Sequence, residues 1–140
     1  MRKLGVDIGT KRIGISITDE TNTVARPLTT IERSDIETEA TKLTRLIEEF
    51  EIEVIVAGMP VDLKGEKGVA AQNMEEYLVT LEKIISVPIV RYDERLTTKI
   101  AEDFLRASGL KKKRRKKIID EAAATIILQN YLEHDKKDKT

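Results

Sequence analysis

The stretch Leu4-Gly5-Val6-Asp7-Ile8-Gly9-Thr10 decides how this chain is read. Side chains alternate faces along a strand, so Leu4, Val6 and Ile8 point one way and Gly5, Asp7 and Gly9 the other. The first face is apolar and belongs in a core. The second holds one carboxylate with nothing bulky beside it. Glycine inside a strand weakens it and often marks close approach by a ligand or by another backbone. A carboxylate so placed suits a metal ion or a phosphate–metal complex. It suits equally well a hydrogen-bonded aspartate near a strand end, and this segment alone leaves both readings open.

The 140 residues are the length of one ordinary domain, and 40% of them are hydrophobic, enough for a core. A single domain over residues 1–140 is expected. The absence of cysteine excludes a disulfide framework and a thiolate metal site. The one histidine, His134, falls in a polar tail over residues 134–140. That excludes a histidine-cluster zinc site and argues against a histidine general base. The chain opens on a strand pattern rather than a signal-peptide pattern. Its longest apolar runs fall far short of the roughly 18 residues that span a bilayer. A soluble, cytoplasmic protein with no membrane partner is the expectation.

The 25 basic and 25 acidic residues cancel, so total charge makes no case for nucleic acid. Their distribution does, because Lys111-Lys112-Lys113-Arg114-Arg115-Lys116-Lys117 is an unbroken cationic run. Such a run is commonly a solvated loop. It is also what a phosphate backbone binds, with affinity that fades with salt and carries no sequence readout.

Ile13, Ile15 and Ile17 alternate with Gly14, Ser16 and Thr18 as a second strand, and Asp19 to Thr23 read as a hairpin turn. Val24 to Ile31 make a third strand, placed at a sheet edge by Pro27. Ser34-Asp35-Ile36-Glu37 reads as a capping box opening a helix, with Ile36, Ala40, Leu43, Ile47 and Phe50 as its apolar stripe. Val54 to Ala57 form a short apolar run, as in a strand buried on both faces. A loop with Gly65 and Gly68 leads to a second helix, with Ala71, Met74, Leu78, Leu81 and Ile85 on its buried side. Val87 to Tyr92 form a fifth strand. A third helix starts near Thr97 or Thr98 and ends at Gly109, and a last one spans about Ile118 to Leu132. This order predicts an α/β fold: a five-stranded mixed sheet, antiparallel first and parallel later, with helices on both faces.

Ligands of α/β sheets bind beyond the carboxyl ends of the parallel strands. Asp7 lies near the end of strand one, and Asp93-Glu94-Arg95 follows strand five, so parallel strands put these acids on one rim. At about 100° per residue, Ile119, Ala122, Ala123, Ile126 and Ile127 define the apolar face of the last helix. Asp120 then falls at its border and Glu121 toward solvent. Asp120 also suits a helix start, where the dipole favours negative charge. Three carboxylates without His or Cys suit a hard cation, Mg²⁺ or Mn²⁺, which holds phosphate oxygens and activates water.

Gly5-Val6-Asp7-Ile8-Gly9-Thr10-Lys11-Arg12-Ile13-Gly14, Val56-Ala57-Gly58-Met59-Pro60, Asp93-Glu94-Arg95-Leu96-Thr97-Thr98 and Ile119-Asp120-Glu121-Ala122-Ala123-Ala124 together resemble the YqgF (RuvX) family. That family is part of the ribonuclease H-like superfamily and is similar to RuvC-type Holliday junction resolvases. The resemblance runs in order from about Lys3 to Leu132. It implies a ribonuclease H-like fold and a Mg²⁺-dependent nuclease. The family has been described both as maturing the 5′ end of pre-16S ribosomal RNA and as resolving Holliday junctions. By motif, Asp7, Glu94 and Asp120 carry over as catalytic metal ligands, with Asp93 as the substitute for Glu94. Resolvases of the RuvC type place a second acid on the last helix; with Glu121 read as facing away, one metal and two both stay open.

Lys11, Arg12 and Arg95, with the cations from Lys111 to Lys117, are the expected substrate contacts. Turn residues such as Lys11 and Arg12 are also commonly just solvated, and Arg95 is as well suited to pairing with the acids. Tyr92 is the one aromatic read near the rim, so no stacking platform is expected. The partners that the resemblance implies are pre-ribosomal RNA, with a ribosome precursor behind it, or branched DNA. Monomer and homodimer both stay open, junction resolvases being dimers because their substrate is two-fold. Two other classes compete: an actin-like or sugar-kinase ATPase half, which Asp7-Ile8-Gly9-Thr10 also resembles, and a non-catalytic RNA- or ribosome-binding module. The first needs a second phosphate motif that this chain lacks. The second has no use for acids aligned on a phosphate-binding rim.

Overall fold

The strands form because β-branched and aliphatic residues alternate with small or polar ones, and the observed elements follow that pattern. A computed structural model describes residues 1–60, 68–93 and 122–134, the side chain of Asp93 excepted. The elements are β1 (Arg2–Ile8), β2 (Arg12–Thr18), β3 (Ala25–Glu32), α1 (Ile36–Phe50), β4 (Ile52–Met59), α2 (Val69–Glu82) and β5 (Ile89–Asp93). Residues 122–134 form a further helix, here α3. The expected third helix, between Thr97 and Gly109, and the Leu63–Gly68 loop up to residue 67 lie outside the described residues.

The sheet order is β3-β2-β1-β4-β5. β1 pairs antiparallel with β2, and β2 with β3, while β1–β4 and β4–β5 are parallel. The mixed sheet, antiparallel then parallel, is the expected one. β3 is the edge strand that Pro27 predicts. The register slips between Ile15 and Ser16, so Ile15 faces Thr29 and Ser16 faces Pro27, leaving Leu28 as the extra residue. Proline is tolerated there because an edge bulge requires no complete ladder from its strand.

Helices cover both faces. Leu4, Val6, Ile15, Ile55 and Ala57 pack on one face with Leu43 and Ile47 of α1 and Leu78 and Leu81 of α2. Fully burying a leucine such as Leu43 or Leu78 contributes about 1.5–3 kcal/mol. On the other face Val56 packs with Ala25, Ile127 and Leu128. β4 is thus buried from both sides, as its unbroken apolar run predicts.

The capping box is displaced by one residue. Asp35, not Ser34, caps α1, its Oδ1 accepting the Thr38 N–H at 2.8 Å. Ser34 is drawn away because its own N–H donates to Glu39 Oε2 at 3.0 Å. The helix closes at Glu51 in the left-handed region (φ 53°), and β4 begins at the next residue.

Candidate metal and nucleic-acid site

Asp7 pairs with Gly14 on β2. On the other side Val6 pairs with Ala57 of β4, so the register carries Asp7 one step on to Gly58. The residues beside the carboxylate on both neighbouring strands are therefore glycines, about 4.8 Å away. Gly58 in turn pairs with Tyr92 of β5. β1 and β5 both run parallel to β4, so Asp7 and Asp93, the last residue of β5, lie at the same end of the sheet. Glu94, the resemblance's second acid, comes next in sequence and lies outside the described residues, as do Arg95, Asp120 and Lys111, Lys112, Lys113, Arg114, Arg115, Lys116 and Lys117.

The glycines along β1 have different causes. A Cβ on Gly5 would stand 2.4 Å from Ser16 Oγ and 2.8 Å from both the Ala124 carbonyl oxygen and Leu128 Cβ. Gly5 is needed so that α3 can lie against the sheet, and the space read as open beside Asp7 is filled by α3 on that side. Ser16 Oγ donates to the Ala124 carbonyl at 2.7 Å, fixing the same crossing. A Cβ on Gly9 would meet the Arg12 carbonyl oxygen at 2.9 Å. Here the glycine serves the turn between β1 and β2, closed by Gly9 N–H donating to that same oxygen.

That turn carries Lys11, exposed, and Arg12, half-buried, at the Asp7 end of the sheet. It is held from behind by a polar network. Arg33 Nη1 donates to the Gly9 carbonyl at 2.6 Å, and Arg33 N–H to the Lys11 carbonyl at 3.0 Å. Arg33 Nε donates to Glu39 Oε2 at 2.7 Å, and the Tyr77 hydroxyl to Glu39 Oε1 at 2.7 Å. Burial pushes the Glu39 carboxyl up, but the Ser34 N–H, the Tyr77 hydroxyl and Arg33 together hold it below the ordinary glutamate value. Tyr77 is pushed above the ordinary tyrosine value, first by burial and then by donating to that carboxylate. The missed signal was an acid within the apolar stripe of α1: Glu39 lies between Ile36 and Leu43 and is fully buried.

The buried face of α3 differs from the expected one. Ala123, Ala124, Ile127, Leu128 and Leu132 are buried, while Ala122 and Ile126 are only half-buried. At about 100° per residue the face is turned by roughly a third of a revolution. The expected face rests on Ile119 and Ile126, whereas the close crossing over Gly5 is made by the Ala124 carbonyl and Leu128 Cβ. Glu121, expected to face solvent, lies outside the described residues. His134 lies in α3 and hydrogen-bonds through Nδ1 with the Tyr92 hydroxyl; the rest of the expected tail, 135–140, lies outside the described residues. Tyr131 packs edge-on against Tyr92 at 6.3 Å, so Tyr92 has aromatic neighbours that the sequence reading did not give it.

Among the described residues no three His, Cys, Asp or Glu side chains converge as a metal cluster. Asp7, the one proposed ligand whose side chain is described, is of the oxygen type that a hard cation takes. Asp7 offers oxygen from a position whose row neighbours carry no side chain, no thiol exists in the chain, and the one imidazole is engaged with Tyr92. Among the described residues no helix is long and apolar enough to cross a membrane.

The fold is that of RuvC-type resolvases, ribonuclease H-like in architecture. The Thermus thermophilus RuvC structure in complex with a Holliday junction substrate superposes with a TM-score of 0.62 over 96% of each chain at 16% identity. The family model described as RuvX, Holliday junction resolvase, matches residues 1–134, and the chain belongs to that family. A protein of Syntrophus aciditrophicus is 37% identical over 99% of this chain and 93% of its own. One of Chloroflexus aurantiacus is 40% identical over 93% and 85%. Both carry the name "Putative pre-16S rRNA nuclease".

Proposed function

We propose that this protein is a Mg²⁺- or Mn²⁺-dependent nuclease that hydrolyses a phosphodiester bond in the 5′-end maturation of pre-16S rRNA in the cytoplasm, as one domain over residues 1–140. The observation that carries the reading is Asp7 in its row of glycines, at the sheet end where parallel β5 closes at Asp93, with Glu94 next in sequence. The names of the relatives at 37% and 40% identity support the RNA substrate.

Asp7, Glu94 and Asp120 are the residues proposed to hold the cation, with Asp93 in reserve for Glu94. The course of α3 supports Asp120. Followed toward its N-terminus, α3 passes from Gln129, bonded to Ala25 at the far end of β3, to Ala124, bonded to Ser16. That direction leads along β2 toward the row of Gly14 and Asp7. Asp120 precedes Ala124 by four residues in sequence. Bound between such carboxylates, the cation supplies charge to a phosphate oxygen and acidity to a water. Lys11 and Arg12 meet the substrate backbone at this end, and Arg95 and the cations Lys111 to Lys117 extend the contact.

The family's description and the likeness to RuvC favour a second reading, resolution of branched DNA. The deciding experiment is cleavage, in Mg²⁺ and in Mn²⁺, of a precursor rRNA, a single-stranded RNA, a duplex DNA and a four-way DNA junction, by wild type beside Asp7→Asn. Cleavage of the precursor RNA that Asp7→Asn abolishes supports the proposal. Preference for the junction selects the second reading. No Asp7-dependent cleavage of any substrate leaves a binding module.

A further inference from the structure

Arg33 lies on the connection between β3 and α1, and it grips the β1–β2 turn at two points. Its Nη1 donates to the Gly9 carbonyl at 2.6 Å and its backbone N–H to the Lys11 carbonyl at 3.0 Å. These two oxygens bracket the turn that separates Asp7 from Arg12. The guanidinium is itself held by Glu39 at 2.7 Å and lies over the Tyr77 ring at 5.1 Å. Glu39 also takes the Ser34 N–H and the Tyr77 hydroxyl, at 3.0 and 2.7 Å. The chain of contacts runs from α2 through α1 to the turn without a break.

A buried ion pair adds little to stability over a well-packed apolar side chain of the same volume. A fully satisfied polar network contributes direction instead, because each member fixes the next. Here the fixed end is a backbone carbonyl two residues after Asp7. We infer that Arg33, clamped by Glu39 and Tyr77, is a positioning residue: it sets the Gly9–Arg12 turn, and through it the Asp7 carboxylate and the Lys11 and Arg12 cations relative to one another. This rests on the nuclease reading above. Arg33 is not a catalytic residue, since its bonds go to the turn and to Glu39. It plays the part that outer partners of metal-binding carboxylates play, and their loss commonly costs about 10–100-fold in metal affinity or activity.

The test compares wild type, Arg33→Ala, Arg33→Lys and Arg91→Ala. Arg91 pairs with Glu75 and Glu82 between β5 and α2, away from the turn, and controls for lost stability. Mg²⁺ is titrated while the Gly9 amide resonance is followed, and kcat and KM are measured on the substrate that wild type cleaves. Arg33→Ala is expected to raise the Mg²⁺ midpoint and lower kcat by about tenfold each. Arg33→Lys should recover part of both, because one ammonium reaches Gly9 or Glu39 but does not span them as a guanidinium does. Arg91→Ala should leave the midpoint unchanged. Should Arg33→Ala fail to fold, Glu39→Gln takes its place with the same expectation. A folded Arg33→Ala with the wild-type midpoint and kcat overturns the inference while the nuclease reading stands. A wild type without Asp7-dependent Mg²⁺ binding or cleavage overturns both.

Discussion

Asp7 of β1 and Gly14 of β2 are paired directly across the antiparallel ladder. Cβ atoms at such positions stand about 4.5–5.5 Å apart, so any side chain at residue 14 would lie alongside the Asp7 carboxylate. Gly14→Val is therefore expected to keep the fold, since valine suits a strand, and to lower nuclease activity by about tenfold or more through crowding of the cation's place. Circular dichroism and the cleavage assay read the two effects separately. Full activity in a folded Gly14→Val would mean that the glycine serves the backbone alone.

Gly5 is expected to respond differently. Its missing side chain leaves room for Ser16, Ala124 and Leu128, and an added Cβ would meet them at 2.4–2.8 Å. Gly5→Ala should cost about 1–3 kcal/mol, the usual penalty of overpacking. Urea unfolding would show a lower midpoint. If α3 yields instead, the Tyr92–His134 pairing is disturbed, and the His134 ring resonances shift.

Lys11 is exposed on the β1–β2 turn. Lys11→Ala should weaken nucleic-acid binding with no loss of stability. The slope of log affinity against log salt should fall by about 0.7–0.9 for one lost phosphate contact. An unchanged slope would place Lys11 off the substrate path.

Asp19 gives the chain a defined acid response. The Thr23 N–H foremost, opposed by some desolvation and aided by the Val24 N–H and the Thr21 and Thr23 hydroxyls, holds its carboxyl at about 2. A depressed folded value stabilises the turn above the ordinary aspartate range, about pH 4, and the contribution is lost as pH falls through about 2. The difference in urea midpoint between wild type and Asp19→Asn should thus be largest above about pH 4 and close on acidification. A gap that does not vary with pH would refute the assignment.

The amino-acid sequence determined the strands and the change from antiparallel to parallel pairing. Local period is enough to find Leu4, Val6 and Ile8 on one face, the double burial of β4 and the edge position of Pro27, because these depend on alternation and on backbone chemistry within a few residues. It also picked out Asp7, whose polar side chain interrupts an apolar pattern. Three things were decided only by the tertiary structure. Gly14 and Gly58 flank Asp7 through register, which no single strand encodes. The buried face of α3 follows from its crossing at Gly5, met by the Ala124 carbonyl and Leu128 Cβ, while Ile126 is only half-buried. Glu39 stands within the apolar stripe of α1, but only folding surrounds it with Arg33, Ser34 and Tyr77. Hydrophobic period is a short-range signal, whereas the donors that make a buried charge tolerable come from distant segments of the chain.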